Sequence, residues 1–303
     1  MKRNIKYLVI ILCLGVFQAE GQQIFKISQY LQNNFIYNPA ASGASDAPSV
    51  GVIYREMWSG IDGGPQTMIL YGDKYFQEKH TGVSGFLYND KTGPTSRTGG
   101  QLNLSYNIEL GSPEKRLMFG LGGLLFQYKI DKSVMINDPN FIQSDPIMGA
   151  DNTKLLGDAA AGINYKSPTL NIGASVEQII QSKLNFLKTS NTNPGQLYRN
   201  YFLLASYNIK VDQDNILIPS AIVKYLPNAP VAAEGGVKLM HQDLIWIGFN
   251  YSYQQSYTIF AGVKLDHKFE IGYAFDQFNT PLNMFDQGNS GNELSLRYFF
   301  LKK

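Results

Sequence analysis

Three groups of residues in this chain have types that could do chemistry. The first is "YREMWSGIDGGPQT", residues 54–67, where Arg55, Glu56, Trp58 and Asp62 stand beside a Gly63-Gly64-Pro65 turn. An acid and a base flanking a pliable turn could serve general acid-base work or clamp an anion. On an extended backbone, however, neighbours face opposite ways, so Glu56 cannot reach Arg55 directly. The second group is the acidic stretch "NDPNFIQSDPIMGADN", residues 137–152, whose Asp138, Asp145 and Asp151 are hard oxygen ligands suited to calcium. Their spacing fits no calcium loop, and a proline after two of them points to turns. The third is the histidines His80, His241 and His267, which lack paired metal-ligand spacing.

Other signals give as little support for a reaction. "GLGGLLF", residues 120–126, looks like a nucleotide loop but has no helix after it to hold a phosphate, so its glycines read as relief of crowding in a strand. Asp212, Asp214 and Asp243 fall in short polar stretches where acids favour turns. Cys13, the single cysteine, lies in an apolar run near the start, which leaves no disulfide framework and no thiol nucleophile beyond it. The expectation is a protein that is not an enzyme, with no catalytic residue, cofactor or metal ion.

The elements that must carry these residues point to a membrane. Lys2, Arg3 and Lys6 precede the apolar run "YLVIILCLGVF", and "AEG" at 19–21 has the small residues that a signal peptidase reads, so residues 1–21 are expected to be a removed leader. The leader takes three of the 26 basic and one of the 24 acidic residues, which leaves a neutral chain and argues against a nucleic-acid surface. Downstream, no apolar stretch approaches the length of a spanning helix. Instead, segments of about ten residues alternate apolar with small or polar positions, as outer-membrane strands do. In "HKFEIGYAFD", Phe269, Ile271, Tyr273 and Phe275 oppose Glu270, Gly272, Ala274 and Asp276. The 19 tyrosines and 18 phenylalanines gather toward segment ends, where interfacial girdles would lie.

Strands are expected at 49–57, 66–75, 80–89, 97–109, 116–128, 155–166, 169–177, 197–210, 214–226, 230–240, 243–253, 256–265, 267–276 and 291–301. That makes an all-β fold: one transmembrane antiparallel β-barrel of about 14 strands over residues 49–303. The three longest connections, 131–154, 178–196 and 277–290, fall at odd positions, as they should if the first strand climbs outward. Residues 22–48 form an N-terminal segment whose Ile24, Phe25, Ile27, Tyr30 and Leu31 recur at roughly helical spacing, and which is expected to tuck into or beneath the barrel.

Several stretches taken together resemble the PorP/SprF family of Bacteroidetes outer-membrane proteins. They are "ISQYLQNNFIYNPAASG" (27–43), the 54–67 stretch, "GDAAAGINYKSPTLNIGASVEQI", "YRNYFLLASYNI", "LIWIGFNYSY", "EIGYAFD" and "GNELSLRYFF". The most specific parts are Asn38-Pro39-Ala40 and the Arg55, Trp58, Gly60, Gly64-Pro65 pattern. The resemblance implies a non-enzymatic component of type IX secretion and gliding motility. Such a protein supports secretion or surface attachment of a partner adhesin, recognised by its C-terminal domain, and can meet periplasmic ring proteins as well as membrane lipids. Partner contacts are expected at Trp58, Ile61, Asp62, Asp138, Phe141 and Asp145. Two other readings fit the alternation. One is a passive diffusion porin with Lys264, Glu270 and Arg297 facing its lumen, and the other is a soluble β-sandwich that binds carbohydrate.

Overall fold

The structure, a computed structural model, describes residues 25–45, 47–136, 148, 152–184, 195–227, 229–279 and 290–301. Its strands are β1 Ser49–Met57, β2 Gln66–Phe76, β3 Thr81–Thr92, β4 Thr95–Glu109, β5 Arg116–Ile130, β6 Thr153–Lys166 and β7 Leu170–Glu177. The chain continues through β8 Lys183–Leu184, β9 Gly195–Gln196, β10 Asn200–Tyr207, β11 Ile209–Lys210, β12 Asn215–Tyr225 and β13 Ala232–His241. It ends with β14 Ile245–Ser252, β15 Ser256–Leu265, β16 Phe269–Phe278 and β17 Ser290–Phe299. β8 and β9 form a separate two-stranded ribbon, and β11 continues β10 past Asn208. The remaining strands pair antiparallel with their sequence neighbours, and β1 pairs with β17 along its whole length, so fourteen staves close into a ring. Closure is what a membrane requires of a sheet, since no edge is left with unpaired backbone in lipid. It also rules out the sandwich.

Alternation decides which side chains meet lipid. Leu102, Leu104, Tyr106 and Ile108 of β4 are exposed, whereas Gln101, Asn103, Ser105 and Asn107 between them are buried in the interior. Tyr201, Tyr225, Tyr251 and Tyr257 ring one end of the outer surface, and Phe269, Tyr298 and Phe300 the other, as two interfacial girdles would. Among the described residues no helix is long and apolar enough to cross a membrane. The turns at one end are tight. Gln242-Asp243 and Asp266-His267 each take positive φ at both residues of a tight turn, closed by Leu244 N–H donating to His241 O and Lys268 N–H donating to Leu265 O, both at 2.9 Å. The long connections gather at the opposite end, which is therefore the outer one.

The N-terminal segment runs inside the barrel, its roughly helical apolar spacing carried by short turns. It makes three short 3₁₀ turns, Tyr30–Gln32, Asn34–Ile36 and Pro39–Ala41. Pro39 cannot continue a helix backward, and Asn38 turns outward to cap the last turn by accepting a hydrogen bond from Ala40 N at 2.9 Å. A five-residue helix, Lys132–Ile136, opens a connection expected to be irregular.

Candidate functional site: the filled lumen and the outer loops

The interior of the barrel is polar by sequence, yet little of it is wet. Short 3₁₀ turns leave many backbone groups without partners of their own, and a buried orphan group is costly, so the wall must supply the missing bonds. Asn103 Nδ2 donates to Phe35 O at 3.1 Å, Ser105 Oγ to Ser42 O at 2.7 Å and Ser175 Oγ to Tyr37 O at 2.5 Å. Asn250 Nδ2 donates to Ser28 O at 3.2 Å, Asn38 Nδ2 to Ile163 O at 3.1 Å and Arg116 Nη1 to Gly43 O at 3.1 Å. The Asn and Ser positions that suggested a water-filled lumen are thus receptors for the chain's own N-terminal segment.

Apolar contacts complete the fit. Ile27, Tyr30, Phe35, Ile36 and Tyr37 pack with the inward Ile53, Ile69, Tyr71, Phe86, Phe202 and Ile222 in one buried cluster. Where the segment presses on the wall, the wall has glycine. A Cβ on Gly120 would overlap Pro39 and Ala40, and one on Gly162 would overlap the Asn38 side chain. Gly120 of β5 and Gly162 of β6 are therefore the seat of the Asn-Pro-Ala turn.

Electrostatics fixes the upper part of the segment. Arg55 points inward with 1 % exposure, and its Nη1 lies 2.7 Å from Asp276 Oδ2 and 3.2 Å from Glu293 Oε2. Ser28 joins the group: its hydroxyl accepts from Arg55 and donates to Asp276 at 2.8 Å, and its N–H donates to Glu293 at 2.6 Å. Nearby, Lys26 Nζ reaches Ser252 and Ser256, both at 3.0 Å, and Glu234 at 3.4 Å. At the opposite end of the segment, Gly43 N donates to Asp73 at 2.6 Å, and Lys166 donates to Ala44 O. A cavity of about 300 Å³ is left at the short-turn end, bordered by Asp73, Lys238, Glu270 and Arg297. Arg297 is engaged, with Nη1 donating to Gln32 O at 2.9 Å, and Lys264 pairs with Asp243 at 2.8 Å.

Residues 19–298 match the family described as type IX secretion system membrane protein PorP/SprF. The chain belongs to the PorP/SprF family. No curated protein matches it. Among solved structures it is similar to a TodX deltaS2S3 mutant monoaromatic hydrocarbon channel, with a TM-score of 0.50 and 10 % identity over 90 % of this chain and 93 % of that one. It is also similar to the CymD monoaromatic hydrocarbon channel, with a TM-score of 0.50 and 9 % identity over 92 % and 94 %. The Acinetobacter baumannii outer membrane protein Omp33 gives 0.49 and 8 % identity over 86 % and 100 %. At such identities the likeness to the two channels concerns fold alone, that of a β-barrel. A PorP/SprF barrel is a membrane component of type IX secretion in the outer membrane, and neither family nor fold is of an enzymatic kind.

The PorP/SprF motifs are structural fixtures. Asn38-Pro39-Ala40 seats the lumen segment, and Arg55 ties it to β16 and β17. Gly63 takes a φ of 78°, and a Cβ on Gly64 would lie 2.6 Å from Met57 O, so the turn admits little else at either place. Trp58 sits at the outer rim in a left-handed conformation, φ 54°, with its ring 6.3 Å from that of Phe278. Ile61 is half-buried and donates its N–H to Trp58 O at 2.8 Å, while Asp62 is exposed. Asp138, Phe141 and Asp145 lie outside the described residues.

Asp212 does the turn work its position suggests. It accepts from Asn215 Nδ2 and from the N–H groups of Asp214 and Asn215, and the Asn215 bonds hold its carboxyl below the usual range. His80 lies 3.3 Å from Glu109, and His241 bonds Asn215 at 2.9 Å. Among the described residues no group of His, Cys, Asp and Glu could hold a metal ion. Sequence reasoning missed the partners of Arg55. The available signal was that Asp276 and Glu293 occupy polar-face positions near the outer ends of their strands.

Proposed function

We propose that this protein is a non-enzymatic component of type IX secretion and gliding that supports secretion or surface attachment of a partner adhesin by recognising its C-terminal domain. The observation that carries the reading is the filled bore: Ser28, Ala40 and Ser42, on the segment that crosses the lumen, have 0 % exposure. A barrel closed by its own chain offers surfaces rather than a path. Its outer face, with Trp58, Ile61 and Asp62 at one rim and the long connections that hold Asp138, Phe141 and Asp145, is the natural docking side for an exported protein. Its short-turn face is left for periplasmic ring proteins. A passive porin would need an open bore, and the burial of the segment counts against it.

Deleting the gene and assaying the adhesin on intact cells tests the reading. Loss of surface adhesin is expected, and unchanged display overturns it. The same reading has residues 1–21 removed on export, so mass spectrometry of the protein from outer membranes should find Gln22 first. A chain still beginning at Met1 overturns that part.

A further inference from the structure

The wall of the barrel is not paired to the same height all round. β5 pairs with β6 along all of Thr153–Lys166, whereas β7 pairs only with residues 161–166. Beyond that point, toward the outer end, Asp158 draws the departing chain off the strand, because its carboxylate accepts from Ile180 N at 2.9 Å and from Ser182 N at 3.3 Å. The chain then turns inward. Leu184 packs on the buried lumen cluster and Leu197 has 3 % exposure, so the β8–β9 ribbon leans over the bore instead of extending the sheet beside β6. Residues 153–157 are left with one partner strand. Ile130 N donates to Asn152 O and Ile179 N to Ala159 O, so the even-numbered residues of β6 direct their backbone groups to β5 and the odd-numbered ones to the open side. There, Gly157 O accepts from Ser182 Oγ. Among the described residues, the N–H and C=O of Thr153 and Leu155 and the N–H of Gly157 have no partner.

An unpaired strand edge is costly in lipid and open to pairing in water. Gln127 and Lys129 of β5, which stand opposite Leu155 and Thr153, are exposed and polar, so this edge lies beyond the apolar band on the outer side. Thr153, Leu155 and Gly157 are themselves exposed, Leu155 at 68 %. Donors and acceptors repeating every second residue are the complement of one ligand class, an extended polypeptide, and Leu155 offers an apolar neighbour to its side chains. A second copy of this chain fits poorly. Upright in the same membrane and related by a two-fold axis, it would set Leu155 level with Leu155 on parallel strands, whereas a parallel ladder puts a residue facing across level with one facing away. We propose that residues 153–157 are a strand-addition site, at which an extended stretch of the exported partner pairs its backbone with Thr153, Leu155 and Gly157. Such pairing presupposes that an exported protein docks at the outer face, and gives that docking a form.

The test uses the full-length protein in detergent micelles, with acetyl-Thr-Val-Thr-Val-Thr-amide as the strand probe and amide exchange followed by NMR. The control is the same peptide N-methylated at its second and third residues, which blocks both of its edges. Without peptide, the Leu155 and Gly157 amides should exchange freely while that of Ile163, in the β7 ladder, is protected. Saturating probe should slow exchange at Leu155 at least about tenfold. Leu155→Pro removes the donor on the open side and leaves the β5 ladder intact, so it should weaken binding about tenfold. Leu155→Thr keeps the donor and should bind within about threefold of wild type, and the heat-modifiable mobility of each variant verifies folding. A Leu155 amide protected without probe at every protein concentration would mean that the chain covers its own edge, and protection that grows with protein concentration would mean a second copy; either overturns the proposal. So does a lack of saturable binding, equal binding of the methylated control, or equal binding by wild type and Leu155→Pro. Adhesin display in the deletion strain tests the docking reading separately, so either can fail alone.

Discussion

Removing Arg55 would strand two carboxylates, Asp276 and Glu293, each at 0 % exposure, inside the wall. A buried pair contributes modestly to stability when intact, because desolvation offsets attraction, but breaking it from one side costs about 3–5 kcal/mol. Arg55→Met should therefore lower resistance to urea in detergent by that amount, followed as loss of the heat-modifiable folded band. The triple variant Arg55→Met, Asp276→Asn, Glu293→Gln should recover most of the loss, because no unpaired charge remains. If the single variant matches wild type, the cluster is not the anchor described here. The sequence placed Arg55 correctly, pointing inward and away from Glu56. It could not reveal the partners, because β1 meets β17 only through ring closure, where Arg55 falls opposite Glu293.

Among elements, the strands were legible, and so was the burial of the lumen segment, but not its path. A strand in this wall has one face in lipid, so its period of two is imposed by a uniform environment and shows in composition alone. Strand ends came out within about three residues, and the parity of long and short connections held. Asn208 breaks the expected strand 197–210 into β10 and β11, and its N–H donates to Thr169 O at 2.6 Å across the turn. The lumen segment meets a different partner at almost every residue, so its roughly helical apolar spacing indicated that it needs burial but not which wall groups receive it. Shape complementarity at the wall glycines leads to a prediction. Gly120→Val would drive two methyl groups into the Pro39-Ala40 turn, with no flexible side chain in the way to yield. The barrel, held by its own ladder, should still form, while the segment shifts. Limited proteolysis should then cut within residues 25–45 in the variant and not in wild type. Equal resistance would show that the seat is looser than the geometry implies.

For the whole molecule, the question is whether fourteen staves enclose a path. The ring is wide enough to leave an interior, and the polar lumen residues read from sequence were those of a channel. The structure gives them another use, because Asn103, Ser105, Ser175, Asn250 and Arg116 spend their donors on backbone carbonyls of the N-terminal segment. Five of that segment's apolar side chains, Ile27, Tyr30, Phe35, Ile36 and Tyr37, are buried, each contributing roughly 1.5–3 kcal/mol, so thermal motion alone would seldom expel it. A cavity of about 300 Å³ at the short-turn end borders Lys238, Glu270 and Arg297, and Tyr30 and Tyr37 of the segment are each 1 % exposed. Planar-bilayer recordings on the full-length protein should therefore show no large steady conductance. A chain lacking residues 25–45 should conduct if its barrel still assembles, which the heat-modifiable band reports, because the lumen Asn, Ser and Arg groups would then turn to water. Steady conductance by the intact protein would mean that the bore is open, and the case for a docking barrel over a porin would fail with it.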